Sequence, residues 1–218
     1  MIPWFLTRGA PGGYAGLVAA DQGWLAPVPS GLDLVAAATV PLNGLTAHQM
    51  LDLLGPSACA GSTVLVTGAS GAVGGFAAQL ALRRGLRVLA VASHDDEAWV
   101  RGLGVHRVLP RTTELAAVGP VPAVLDAVPV GDPGLAALAD GGVLVVTRPV
   151  SQADPARRIS AHLVLVRADA GVLGALLQDA AAGLLRTRVA HTLPLAAAAQ
   201  AHRLLEAGGL RGKVVLEL

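Results

Sequence analysis

The sequence has 218 residues, of which 53% are hydrophobic and 14% charged, a composition typical of globular proteins and far from that of disordered chains. A net charge of +1 and an aromatic content of 3% give no basis for binding nucleic acid or a membrane surface. Cys59 is the only cysteine, which excludes an internal disulfide and a cysteine-rich zinc site. The N-terminus lacks a signal-peptide pattern, so we expect a cytoplasmic protein.

The chain is expected to have two parts. Residues 1–34 are rich in Gly and Pro and are too short to close a core of their own. Residues 35–58 have a helical pattern, with a break predicted at Asn43-Gly44 and an end at Gly55-Pro56. We therefore expect an N-terminal segment over residues 1–34 and a domain over residues 35–218.

From Thr63 onward, short apolar runs alternate with helical patterns. A helix with one apolar stripe is predicted after the first strand, and further helices are predicted over 97–103, 135–139, 171–185 and 195–207. The predicted strands cover residues 63–67, 86–92, 107–109, 123–127, 143–147, 162–166 and 213–218. Such alternation favours right-handed βαβ units and a Rossmann-type α/β fold, a parallel sheet with helices on both faces.

The strongest local signal is the run Val64–Gly75, in which an apolar strand leads through a glycine turn into a helix. A helix N-terminus exposes unpaired N–H groups and a partial positive charge, both of which suit a pyrophosphate. Gly71 would let the backbone approach the phosphates, and Gly74 would let the helix lie close to the strand. The alternative is a tight turn without a ligand. The residues predicted to hold the pyrophosphate are Gly68, Ala69, Ser70, Gly71, Ala72, Val73 and Gly74.

The end of the second predicted strand indicates which dinucleotide is bound. Enzymes that use NAD place an acid there, about 20 residues after the turn, to bind the ribose 2′-hydroxyl. This chain has Ser93 at that point, which tolerates a 2′-phosphate, with His94 and Arg111 as candidate phosphate partners. Asp95 and Asp96 favour the opposite preference, but we interpret them as N-caps of the next helix. The pattern thus predicts NADPH.

Four segments occur in an order that is specific as a set, namely residues 41–47, 64–75, 124–127 and 202–216. In these segments the chain resembles the zinc-free quinone oxidoreductase branch, the zeta-crystallin-like enzymes, of the medium-chain dehydrogenase/reductase superfamily. The resemblance implies that Thr46 lies near the nicotinamide and that Asn43 lines the same cleft. It also implies that Ala69, Gly71, Val73 and Gly74 bind the pyrophosphate.

The resemblance further implies an enzyme that passes hydride from NADPH to a small-molecule substrate, a quinone or an α,β-unsaturated carbonyl. Two alternatives are an NADPH-binding protein without turnover, such as a sensor or partial subunit, and a non-redox cyclase or dehydratase of a natural-product pathway. Residues 1–34 resemble the end of the GroES-like catalytic domain of the relatives, so we expect only that end here, as a natural short form, a fragment or a gene start placed too late. Relatives dimerise through an edge strand, for which the apolar segment 163–166 is the candidate here.

Overall fold

The computed structural model describes residues 13–128, 130–149 and 154–218, which form two compact units. One comprises Thr46–Leu165, and the other comprises Val166–Leu218 together with the described residues up to Leu45. The first twelve residues of the predicted N-terminal segment lie outside the described residues. No helix in the described ranges is long and apolar enough to cross a bilayer.

The helices and strands occur in the following order along the chain. The helices are α1 (Leu34–Ala38), α2 (Val40–Asp52), α3 (Ala72–Arg83), α4 (Glu97–Arg101), α5 (Asp132–Ala136), α6 (Ala170–Ala181) and α7 (Ala198–Ala207). The strands are β1 (Thr63–Thr67), β2 (Arg87–Ala92), β3 (Arg107–Pro110), β4 (Val121–Asp126), β5 (Leu138–Val146), β6 (Ser160–Leu163), β7 (Val189–Pro194) and β8 (Lys213–Glu217).

The unit Thr46–Leu165 contains a six-stranded parallel sheet in the order β3-β2-β1-β4-β5-β6. Its central strands are apolar on both faces, as expected for a parallel sheet covered by helices. Leu65 on β1, Val124 on β4 and Leu144 on β5 are fully buried and belong to one core cluster. The predicted α/β class and its Rossmann-type parallel sheet are confirmed.

The strand order places a crevice between β1 and β4. The chain leaves β1 toward β2 and β3 on one side, whereas β4 leads to β5 and β6 on the other. Connections after β1 and β4 therefore diverge, and ligands of open α/β sheets bind at such a switch point, outside the carboxyl ends of the strands.

The other unit contains a separate two-stranded parallel sheet of β7 and β8, against which α1 and α7 pack. Strand β8 was predicted, but β7 was missed because its sequence lacks a clear apolar alternation, and His191 and Thr192 lie exposed in its middle. Hence the last strand of the chain pairs with β7 and is not part of the six-stranded sheet.

The helix break predicted at Asn43-Gly44 is wrong, because α2 continues through both residues. The side-chain amide of Asn43 donates to the Thr39 carbonyl oxygen at 2.7 Å, so it does not compete with the helix. Gly44 instead permits close packing, since a Cβ there would lie 3.1 Å from Cδ1 of Leu176 on α6. The break falls earlier, at Thr39, between α1 and α2.

The helix predicted over 135–139 is also displaced. Helix α5 covers Asp132–Ala136, and Leu138 already begins β5, where it pairs with Val121 of β4. A short run of alanine and leucine fits a helix or a strand, and here the pairing with β4 decides the boundary.

Candidate dinucleotide site

The turn between β1 and α3 presents the start of a helix at the carboxyl end of the central strand. The Gly71 N–H donates to the Gly68 carbonyl oxygen at 2.9 Å and closes the turn. The first bond of the helix joins the Gly75 N–H to the Gly71 carbonyl oxygen, also at 2.9 Å. The amides of Ala72, Val73 and Gly74 therefore precede the helical bonding pattern, as donors at a helix N-terminus do.

Two glycines of this turn are required by close contacts within the chain. Gly68 has a φ of +62°, and a Cβ there would lie 2.6 Å from Cγ1 of Val128 in the connection after β4. A Cβ on Gly74 would overlap the Gly68 carbonyl oxygen. By contrast, Gly71 has an ordinary φ of −82°, and a Cβ there would lie 3.2 Å from the same oxygen.

Ala69 and Ser70 are buried, so their side chains form the inside of the turn. The Ala69 N–H donates to the carbonyl oxygen of Val91 on β2 at 3.2 Å. This amide is therefore engaged within the protein and is not free to hold an anion.

Asp126 joins the ends of β1 and β4 and was not singled out as a site residue by sequence. Its Oδ1 accepts a 2.5 Å hydrogen bond from the Thr67 hydroxyl, and its Oδ2 accepts from the amides of Val130 at 3.0 Å and Gly131 at 3.3 Å. Burial raises the pKa of the Asp126 carboxyl above its ordinary value of 3.8, although these hydrogen bonds act in the opposite direction. The signal in the sequence was an acid at the end of an apolar strand.

A cavity of about 670 Å³ opens at this edge of the sheet. This volume is in the range of small-molecule and cofactor sites. The lining residues come from the ends of β1 and β2, from the connection after β3 and from the connection after β4 into α5: Thr67, Gly68, Val91, Arg111, Thr113, Glu114, Leu115, Ala116, Val128, Val130, Pro133 and Ala136. Of the predicted site residues, the cavity brings together Gly68 and Arg111.

Ser93 and His94 follow β2, as predicted, but each side chain contacts an acidic residue of the chain. The Ser93 hydroxyl donates to Oδ2 of Asp96 at 2.7 Å, and Asp96 is buried. The predicted capping by Asp96 is wrong, because its side chain makes no capping bond to α4. His94 is almost fully exposed and lies 3.8 Å from a carboxylate oxygen of Glu97.

Asn43 and Thr46 are both buried on α2. The Asn43 amide is engaged by the Thr39 carbonyl, as described above. The predicted roles of Asn43 and Thr46 near a nicotinamide stay predictions.

Within the described ranges, no group of three His, Cys, Asp or Glu side chains is placed to hold a metal ion. Cys59 is exposed, and its Sγ lies 3.0 Å from the Ser62 hydroxyl. The described residues therefore do not form a zinc site.

The parallel sheet, the glycine turn and the cavity at the switch point define a Rossmann-type α/β protein. The sequence profile described as zinc-binding dehydrogenase matches residues 103–216, and the chain belongs to this family, part of the medium-chain dehydrogenase/reductase superfamily. Homologues in the family are oxidoreductases, and the family uses nicotinamide cofactors.

Relatives with known structures cover most of this chain. The structure of AibC is 32% identical with a TM-score of 0.85 and covers 96% of this chain and 68% of its own. The quinone oxidoreductase of Coxiella burnetii is 28% identical with a TM-score of 0.78, over 88% of this chain and 63% of that one.

A trans-enoyl reductase of Aspergillus japonicus is 40% identical over 91 residues, which are 38% of this chain and 27% of that protein. The chain spans less than a third of the length of this relative and of other curated relatives that it matches.

Proposed function

We propose that the protein is an NADPH-dependent oxidoreductase that reduces a quinone or an α,β-unsaturated carbonyl compound, as zinc-free members of the superfamily do. The observation that carries the proposal is the helix N-terminus at the β1–α3 turn, adjoining a cavity of about 670 Å³ that Gly68 helps to line. Backbone amides and a cavity of this size at a switch point suit a dinucleotide.

In this proposal the amides of Ala72, Val73 and Gly74 hold the pyrophosphate, while the apolar walls of the cavity receive the adenosine. Arg111 supplies a positive charge in the same cavity. Thr46 and Asn43 orient the nicotinamide ring. A bound nicotinamide supplies the hydride, so the protein's contribution is chiefly binding, orientation and exclusion of water.

The preference for NADPH depends on Ser93 and Arg111 in this proposal. Asp96 is buried and already accepts the Ser93 hydroxyl, so it is poorly placed to receive a ribose 2′-hydroxyl as an exposed acid would. The same bond occupies the Ser93 hydrogen, which leaves Arg111 as the stronger partner for a 2′-phosphate. A guanidinium group binds phosphate with two parallel hydrogen bonds.

The proposed substrate class is supported by the similarity to a quinone oxidoreductase and to a trans-enoyl reductase. In both classes a hydride adds to an electron-poor conjugated system. Such a reaction needs no metal when the acceptor is already activated.

The test has two stages. NADPH and NADH are first titrated against the protein by fluorescence, and NADPH oxidation is then followed with 1,4-benzoquinone and with a crotonyl thioester. We expect tighter binding of NADPH than of NADH and turnover with at least one acceptor. Binding without turnover would leave a dinucleotide-binding protein, and binding of neither dinucleotide would reject the proposal.

A further inference from the structure

The carboxylate of Asp126 links the end of β1 to the connection after β4. It is the last residue of β4 and is the register partner of Thr67, the last residue of β1. One oxygen holds the Thr67 hydroxyl, and the other holds the amides of Val130 and Gly131 in the connection that leads into α5. The side chain is 1% exposed, so these bonds are shielded from water.

Two of the three residues held by Asp126 are themselves lining residues. Thr67 and Val130 line the cavity directly, as does Val128 between Asp126 and Val130. Val128 also covers the glycine turn, because it occupies the space that a Cβ on Gly68 would need. The connection after β4 therefore contacts the glycine turn across the crevice between β1 and β4.

We propose that Asp126 is a positioning residue that sets the width of the cofactor crevice by tying the connection after β4 to the end of β1. This inference rests on the proposed function, since it assigns the crevice to a dinucleotide. Asp126 need not touch the cofactor, because it acts through Val128, Val130 and Thr67. A merely structural role would stabilise the whole sheet without changing the crevice.

The amide of Gly131 is the most direct reporter of this role. The Val130 N–H is shared with the Val128 carbonyl oxygen at 2.7 Å, whereas Asp126 is the acceptor found for the Gly131 N–H in the described structure. Loss of the carboxylate should therefore increase hydrogen exchange at Gly131 first. Local loosening leaves exchange in the core unchanged, whereas global destabilisation raises exchange everywhere, including at Leu144 on β5.

The experiment compares wild type with Asp126→Ala and Asp126→Asn, and Thr67→Val with Thr67→Ser, at a temperature where all are folded by circular dichroism. For Asp126→Ala we expect Gly131 exchange to rise at least about tenfold with Leu144 unchanged, and the Kd for NADPH to rise about tenfold. Asp126→Asn retains an acceptor oxygen and should lie nearer to wild type. Thr67→Val should weaken NADPH binding, and Thr67→Ser should restore it.

Each outcome decides one point. Wild-type exchange at Gly131 in Asp126→Ala would overturn the inference, as would faster exchange with an unchanged Kd for NADPH. If Asp126→Ala does not fold, equal NADPH affinity in Thr67→Val and Thr67→Ser would overturn it instead. If wild type binds no dinucleotide, the proposed function fails and the crevice assignment fails with it. The exchange at Gly131 then still shows whether Asp126 holds the connection.

Discussion

A Cβ atom on Gly74 would overlap the carbonyl oxygen of Gly68, so helix α3 can lie against the end of β1 only when residue 74 has no side chain. The neighbouring Gly75 differs, since a Cβ there would lie 3.3 Å from the Ala69 carbonyl oxygen and would require only a small shift. The two positions therefore form a matched pair for testing the geometry of the turn.

Gly74→Ala should push α3 away from β1, lower the free energy of unfolding by about 1–3 kcal/mol and displace the amides that would hold the pyrophosphate. Denaturant unfolding and NADPH titration measure the two effects. Gly75→Ala is the control and should have a clearly smaller effect on both. Equal effects of the two substitutions would contradict the close approach of α3 to Gly68.

Gly71→Val should separate ligand binding from stability. The φ of Gly71 suits any residue, and a Cβ would lie 3.2 Å from the Gly68 carbonyl oxygen, a tight contact that a small shift of the turn would relieve, so we expect the fold to persist. A branched side chain beside the first amides of α3 would nevertheless block the approach of a phosphate. We expect NADPH binding to be lost while the thermal unfolding midpoint changes little. Unchanged NADPH affinity would reject the pyrophosphate assignment.

The parts of this site that follow from local pattern were predictable. Strand β1 occupies the predicted residues 63–67, and the apolar stripe predicted for the next helix falls on α3, where Phe76, Ala77 and Leu80 are buried. Alternating apolar residues, a glycine turn and a helical period are features of neighbouring residues, which a single sequence displays.

The rest depends on partners that are distant in sequence. The Thr67–Asp126 bond joins residues on two different strands, and Gly44 is explained only by Leu176 on another helix. Asp96 looked like a helix cap by position, but its carboxylate accepts the Ser93 hydroxyl instead. Tertiary contacts of this kind override local preference, and no spacing in the sequence reveals them.

Ser93→Asp should shift cofactor preference toward NADH. A carboxylate at the end of β2 would repel the 2′-phosphate of NADPH and accept from the ribose hydroxyl of NADH, and it would stand close to Asp96. We expect the ratio of the Kd values for NADPH and NADH to rise by at least about tenfold, or about 1.4 kcal/mol.

Arg111→Gln tests the other proposed determinant of this preference, because it removes a positive charge from the cavity lining. It should weaken binding of NADPH more than binding of NADH, since only NADPH carries the 2′-phosphate. Fluorescence titration with both dinucleotides measures the difference. A similar loss for both would place Arg111 away from the 2′-phosphate and would assign it to another part of the cofactor.

Stability should depend on pH through Asp126. Because burial raises its pKa above 3.8, the folded chain binds this proton more tightly than the unfolded chain does. The contribution of Asp126 to the free energy of unfolding therefore falls as pH rises from 3.8 through the raised pKa. The Asp126→Asn variant lacks this titration.

Urea unfolding of both proteins from about pH 4 to about pH 7 isolates the contribution of Asp126. The stability of wild type relative to the variant should decrease with increasing pH across the window. The groups that the structure shows bonded to the carboxylate, the Thr67 hydroxyl and the amides of Val130 and Gly131, do not titrate in this range. If the relative stability increased with pH, the hydrogen bonds to Asp126 would lower its pKa by more than burial raises it.

The outer edge of β6 is the surface on which a second copy is expected to bind. β6 is the last strand of the six-stranded sheet, and Leu163 and Leu165 beside that edge are 39% and 71% exposed. The sheet pairing continues past the strand, because the Val164 N–H donates to the Val146 carbonyl oxygen at 2.9 Å. An apolar edge with unpaired backbone groups favours addition of another strand, and a twofold axis would let two copies use the same surface.

We therefore expect wild type to sediment as a dimer and the double variant Leu163→Lys, Leu165→Lys to sediment as a monomer. Lysines at a strand edge oppose the addition of another strand, and a dimer through this edge would bring like charges of the two copies together. Leu184→Lys is the matched control, because Leu184 is 58% exposed but lies outside the six-stranded sheet. A dimer that survives the double variant would assign the interface to another surface, and a monomeric wild type at all concentrations would reject the expected dimer.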